Sequence, residues 1–253
     1  MPNPISFLAG AGEFAQFAGR ALVAALASFR RPGAVLRQVH SVLVGALPLG
    51  LVTGIALGAV IWMHTHAVLA RTGTVEYLPT ILAAAVLLEL APVGAALIVA
   101  ARSGSSLGAE LGAMRIGEQI DAMEMLGVRS LSALVGPRVL GCMVALPLLH
   151  IFISALALAS GFIAENIVGH TNWLRYQSAC LRELYPNEVI PAGLKTIIFG
   201  YLIGVAGCYQ GMRAEGGTEG VGRAATNAVV MACLLVLAAD VLLVGLIQVL
   251  AGN

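Results

Sequence analysis

Charge is scarce in this chain. Only 11% of its 253 residues are Asp, Glu, Lys or Arg, whereas a soluble domain carries about 25%. That is too few to coat a water-facing surface of this size. With 59% hydrophobic residues and a mean hydropathy of +0.92, the composition excludes a soluble globular protein and predicts an all-α integral membrane protein. Cysteine is sparse as well. Cys142, Cys180, Cys208 and Cys233 lie far apart with no C-x-x-C pair, so neither a disulfide framework nor a metal site is expected; three sit in apolar runs as small hydrophobes. No Ser/His/Asp or Cys/His arrangement with interpretable spacing is present. The Gly-rich stretch 215–223, E-G-G-T-E-G-V-G-R, lacks the Lys-Ser/Thr of a Walker motif and follows an apolar span, so it reads as a cytoplasmic turn and not as a phosphate loop. An enzyme is not expected, and a net charge of +1 points to neither an acidic nor a basic partner.

Long apolar runs and glycine are what the chain has in abundance. A spanning helix needs about 20 mostly apolar residues, and five stretches qualify: 41–63, 77–101, 133–163, 189–210 and 224–250. The third contains Pro137 and Pro147 and is expected to be kinked or tilted. Between the third and fourth, residues 165–188 are polar, too long for a tight turn, and expected to hold a short helix. Ahead of the spans, residues 5–31 are only half apolar. Glu13, Gln16 and Arg20 share one helical face, and Phe14, Phe17, Ala21, Leu22, Ala25 and Phe29 lie largely on the other. Arg30 and Arg31 follow the apolar part, the reverse of a signal peptide, so this segment reads as an amphipathic helix in the membrane interface, stopped at Pro32. The alternative is a helix that packs on protein. Residues 1–38 thus form an interfacial helix and linker, and 39–253 the membrane domain.

Five spans put the two termini on opposite sides. The N-terminal segment and the 102–138 and 213–223 loops hold ten of the fourteen basic residues; Arg71, Arg175, Arg182 and Lys195 fall on the other side. The excess places the N-terminus and the 102–138 loop in the cytoplasm, with the C-terminus outside. Glycines at 50, 54 and 58, at 200 and 204, and at 207 and 211 each share a helical face and permit close crossings, either within the chain or between subunits.

Ionisable groups at bilayer depth are costly and are functional candidates by default. Glu89 sits near the middle of the second span, Asp240 in the fifth and His150 in the third. Glu89 should face a cavity, pair with a base or be protonated. Lys195, near a span end, can snorkel to the interface and needs no special role. From Leu107 onward the segment after the second span has helical periodicity: Ile116, Ile120, Met123 and Leu126 form an apolar stripe, and Glu110, Glu118 and Asp121 another face, with Arg115 among them. Gly127 is a natural stop. Met-rich apolar surface suits a partner groove, although the helix could instead fold back on its own membrane domain.

The run L-E-L-A-P-V-G-A-A-L-I-V-A-A-R-S-G-S-S-L-G-A-E-L-G-A-M-R-I-G-E-Q-I-D-A-M-E-M-L-G-V, residues 88–128, resembles the signature of the MlaE/YrbE permeases, membrane subunits of MCE-associated ABC lipid transporters. G-G-T-E-G-V-G-R-A-A-T-N-A-V-V, residues 216–230, is similar to the family's second cytoplasmic turn and the start of its last span. The resemblance covers most of residues 40–250. It implies a five-span permease of the bacterial inner membrane, with an N-terminal interfacial helix, working as a dimer with a second permease copy. A coupling helix at about 105–127 would dock a separate cytoplasmic ATPase through Glu110, Met114, Arg115, Glu118, Gln119, Asp121, Met123 and Glu124. ATP and Mg would be used by that partner, and no cofactor by this chain. An extracytoplasmic MCE-domain hexamer would carry lipid, phospholipid first, onward. The family's motif usually reads R-E-L-G-P in the region lining the lipid site; here Leu88 and Ala91 replace the Arg and the Gly, while Glu89 and Pro92 are kept. Glu89 therefore lacks a sequence-adjacent counter-charge. Two other functions fit the residues alone: a proton-coupled secondary transporter using Glu89, Asp240 and His150, and a membrane anchor that positions soluble proteins through the 105–127 helix.

Overall fold

Within a bilayer every backbone N–H and C=O must be satisfied inside the chain, and helices do this segment by segment. In the computed structural model, which describes residues 4–169, 172–182 and 184–251, all the regular structure is helical. Of the two termini, residues 1–3 and 252–253 lie outside the described residues. Helix α1, Pro4–Ala27, ends in a 3-10 turn at Ser28–Arg30. Pro32, whose missing N–H costs nothing in a first turn, opens α2, Pro32–Thr72. The stretch 32–38, expected as linker, is therefore helical. At 41 residues, α2 is roughly 60 Å long, about twice the hydrocarbon thickness. Gly73, at φ 72°, closes it.

The second span is a broken ladder. Helix α3, Leu78–Ala84, passes through a π-helical turn, Ala85–Leu90, into α4, Ala91–Val99; a second π turn, Ala100–Gly104, leads into α5, Ser105–Ile116. A single helix expected over 105–127 is in fact two. Glu118 adopts a left-handed φ of 55°, which breaks the helix before α6, Gln119–Met125. Gly127 follows at φ 77°, the expected stop. A third π turn, Leu131–Val135, opens into α7, Gly136–Gly169, whose Pro137 occupies its first turn. Helix α8, Trp173–Arg182, is the short helix anticipated between spans; α9, Pro186–Met212, and α10, Gly217–Ala251, complete the fold. Most of the glycine-rich stretch is thus the start of α10, and the turn is limited to residues 213–216. Five rods, Pro32–Thr72, Val75–Ile116, Leu131–Val168, Glu188–Met212 and Gly217–Val249, are long and apolar enough to cross a membrane.

Small residues decide how the rods cross. A Cβ at Gly54 would stand 2.9 Å from the Ile153 carbonyl oxygen and 2.8 Å from Leu156 Cβ, and one at Gly204 would stand 2.9 Å from Val139 Cα. Gly211 is equally tight against α5, 3.0 Å from the Gly108 oxygen. All three glycine stripes are therefore spent on crossings within the chain: α2 on α7, the first part of α9 on α7, and the last part of α9 on α5. Leu149, Ile153, Phe199 and Ile203 fill the core beside them. Helix α1 lays Ala21 and Ala25 on the α7 side, with Phe14 and Phe17 edge-on to Tyr209 at 5.2 and 5.4 Å. Tyr201 donates to the Ala18 carbonyl at 2.8 Å, and Arg213 binds Glu13. The single apolar face expected of this helix divides in two: Ala21 and Ala25 are packed on protein, while Leu22 and Phe29 point outward with Val23 and Leu26, so α1 has a protein-packed strip and a second, uncovered apolar strip. Gly54→Val should lower stability by about 1–3 kcal/mol through overpacking against the α7 backbone, whereas Gly12→Ala, with nothing within 4 Å of the new methyl, should keep the thermal midpoint in detergent or raise it slightly, since Ala is the better helix former. Equal midpoints for the two variants would disprove the backbone crossing.

Candidate functional site

Pro92 has no N–H to donate, and its ring crowds the carbonyl one turn back. The ladder widens just before it, and the Ala91 N–H reaches the Val86 carbonyl five residues away. Glu89 lies in this wide turn, a feature common at functional sites. Its carboxylate meets Lys195 of α9: Nζ is 2.7 Å from Glu89 Oε2 and 3.1 Å from Asp240 Oδ1 of α10. Three spans thus contribute one charge each. Lys195 is the sole lysine of the chain, and its side chain is 2% exposed, against 46% for Glu89 and 18% for Asp240. It does not snorkel. In an apolar surround an unpaired ammonium would cost several kcal/mol, and two carboxylates compensate it. Glu89 is the member turned outward, onto a cavity of about 200 Å³ whose walls include Leu88, Glu188, Ala192 and Gln248. Leu88 lines the cavity; Pro92 is buried between helices instead.

His150 is not hydrogen-bonded to the cluster, although it lies within electrostatic reach of Lys195. It is 6% exposed, its ring is against the Leu87 backbone, and its Nε2 has no hydrogen-bond partner among the described residues. Ser154 Oγ, one turn on, is likewise unpartnered.

At the far end of the second span the acidic positions separate into bound and free groups. Arg138 Nη2 lies 2.7 Å from Glu110 Oε1, Arg115 pairs with Asp121 across the α5–α6 break, and Ser130 donates to Glu124 at 2.5 Å. Glu118 and Gln119 are exposed at the break itself. Met114 and Met123 are half-buried, and Ile120 turns fully inward at 1% exposure. The bend therefore splits the apolar stripe that periodicity predicts for a single helix. Met125 and Leu126, 89% and 83% exposed, form the tip. At the opposite end Trp62 Nε1 donates to Glu165 Oε2 at 2.8 Å and stacks on His66, beside a larger cavity near Glu76, Arg175 and Arg182. Burial pushes the Cys180 thiol there up to about 11, which keeps it an inert packing group.

Five spans around a three-charge centre, with a projecting α5–α6 tip, define a multi-pass helical membrane protein. A family model described as Permease MlaE matches residues 35–246, and the chain belongs to that permease family. It is 30% identical over 236 residues to a probable ABC transporter permease protein of Rickettsia bellii, covering 92% of this chain and 90% of that one. Haemophilus influenzae has a relative named intermembrane phospholipid transport system permease protein MlaE, 28% identical over 215 residues and covering 83% and 80%. The chloroplastic protein trigalactosyldiacylglycerol 1 of Arabidopsis thaliana is 34% identical over 173 residues, 68% of this chain and 49% of that protein.

The charge cluster makes a stability prediction. Lys195→Met should destabilise the protein by about 3 kcal/mol, because it leaves two carboxylates facing each other. The triple variant Glu89→Gln, Lys195→Met, Asp240→Asn should recover more than half of that loss in detergent unfolding. A triple variant as unstable as the sum of its parts would show that the three groups are not coupled.

Proposed function

We propose that this chain is the permease subunit of an ATP-driven transporter that moves lipid, phospholipid first, between the bacterial inner membrane and an extracytoplasmic MCE-domain protein. The observation that carries the proposal is the Glu89–Lys195–Asp240 cluster beside a lateral cavity, found in a chain of the MlaE permease family. A cavity lined by Leu88, Ala192, Val244 and Ile247 together with the charged Glu89, Glu188 and Lys195 suits an amphiphile whose head must be held while its tails stay in hydrocarbon. Lys195 supplies from a distant span the counter-charge that the residue before Glu89 does not. No nucleotide-binding motif is present, so hydrolysis of ATP with Mg belongs to a separate ATPase. The α5–α6 bend is its docking element: Glu118, Gln119, Met125 and Leu126 offer charge and apolar surface at one tip, while Glu110, Arg115, Asp121 and Glu124 hold that tip in shape. The α2 glycines are consumed inside the chain, so a second permease copy would be met through other faces. The excess of Arg around residues 20–37 and 102–138 puts the N-terminus and this tip in the cytoplasm and the C-terminus outside; the outward strip of α1 lies in the interface.

A proton-coupled carrier would want His150 in contact with the acids, and it makes no hydrogen bond to them. Native mass spectrometry of protein purified through a tag on this chain alone should show two permeases, two ATPases, an MCE hexamer and bound lipid. Glu118→Lys with Leu126→Glu should lower ATPase recovery about tenfold, the equivalent of ~1.4 kcal/mol, at unchanged permease level in the membrane. A lone permease in mild detergent, or undiminished ATPase recovery by the variant, would remove the ABC assignment or the docking tip respectively.

A further inference from the structure

A second polar site lies between α2 and the π turn at Ala100–Gly104, well away from the Glu89 centre. Arg102 is exposed there, at the end of the apolar part of the second span. None of the ion pairs among the described residues includes it, although Arg115, Arg138, Arg213 and Arg223 each hold a carboxylate. It lines a pocket of about 260 Å³ together with Gln38, Ser41, Ser103 and Ser106. The polar part of the wall is thus one guanidinium, three hydroxyls and an amide, with no carboxylate, and Val42 and Leu107 complete the lining. Gly45 makes the arrangement possible: a Cβ there would stand 2.6 Å from Arg102 Nε, so the missing side chain lets the guanidinium lie on the backbone of α2.

The same helical face continues into the membrane as hydrocarbon. At 100° per residue, Gln38, Ser41, Gly45, Leu49 and Val52 all point within about 40° of Gly45. Leu49 and Val52 are uncovered, at 50% and 64% exposure. Polar donors at the level of Arg102 therefore pass directly into an open apolar strip, the profile of a phosphate head with acyl tails. We propose that Arg102, with Ser41, Ser106 and Gln38, binds the phosphate of a membrane phospholipid in the leaflet at the α5 end, with the tails against Leu49 and Val52. Phosphate is the group recognised: a planar guanidinium matches two of its oxygens, and hydroxyl and amide donors serve the rest. A free phosphate ion offers the same head chemistry but has no use for the apolar strip. The site requires only that the chain is embedded in a bilayer, and it stands whether or not an ATPase partner is found.

The test uses full-length protein, delipidated in detergent and titrated by thermal shift with dioleoylphosphatidylglycerol, with dioleoylglycerol, or with inorganic phosphate. Phosphatidylglycerol should raise the midpoint saturably, and dioleoylglycerol, which has the tails without the phosphate, should do so only weakly. Arg102→Gln, which removes the charge, and Gly45→Ala, which keeps it but displaces it, should each weaken phosphatidylglycerol binding about fivefold or more, the loss of one charge-assisted hydrogen bond. Arg71→Gln, at the other end of α2, should leave phosphatidylglycerol binding unchanged. Wild-type binding by both Arg102→Gln and Gly45→Ala would overturn the site. Equal stabilisation by inorganic phosphate would overturn the lipid in favour of a free anion. Should a variant fail to fold, the wild-type comparison decides: phosphatidylglycerol no better than dioleoylglycerol would also overturn it.

Discussion

Burying one ammonium among apolar helices constrains where three of them stand. Lys195 cannot reach water at 2% exposure, so its charge must be met by groups fixed in place, and both lie on other spans. Glu89 is delivered by the wide turn ahead of Pro92, and Asp240 by a helix whose neighbouring faces are otherwise hydrocarbon. Because the two carboxylates are held by one cation, the second, fourth and fifth spans share a node that hydrophobic packing would not create. In lipid, apolar surface has no strong preference for helix over tail; close glycine crossings and this node supply the specificity instead. The arrangement leaves Glu89 half-exposed, so the group that holds the helices together is also the one presented to the cavity.

The same chain uses charge differently at the α5–α6 end. There the pairs are local or join adjacent elements: Arg115 with Asp121 across a single bend, and Arg138 with Glu110. The exposed Arg115–Asp121 pair adds little to stability but spans the bend beside Met125 and Leu126, and Arg138, its side chain 12% exposed, ties α7 to α5 through Glu110. Core and tip therefore divide the work, with strong coupling inside the bilayer and shape outside it.

Much of this was legible in the sequence. Five apolar runs, the short helix between the third and fourth, the stop at Gly127 and the need of Glu89 for a base or a cavity all follow from period, length and the cost of charge in lipid. Lys195 departs from the snorkelling expected of it because position along a span is a one-dimensional measure: nearness to a helix end says where a side chain can escape, and not which partners the neighbouring helices bring. A lone lysine in a chain rich in arginine, with two mid-span acids elsewhere, was the available signal. The bend at Glu118 was hidden for a different reason. Its flanking residues keep helical periodicity, and a left-handed φ at a glutamate, rare for such a residue, leaves no compositional mark beyond the adjacent Gly117. The π turns are invisible to periodicity, since each adds only one residue to the count.

That extra residue has a mechanical meaning. Helix α4, nine residues long, is a short cylinder between two wide collars, and each collar holds one residue of slack in its hydrogen-bond ladder. Within a regular α-helix, axial rotation of one segment is forbidden by the ladder on both sides. Each collar inserts one residue and so turns the segment after it by about 100° relative to an unbroken helix, which sets the face on which α4 buries Ala95 and Ala96. The second span is thus a rod re-aimed at two places, one carrying Glu89 and the other carrying Arg102.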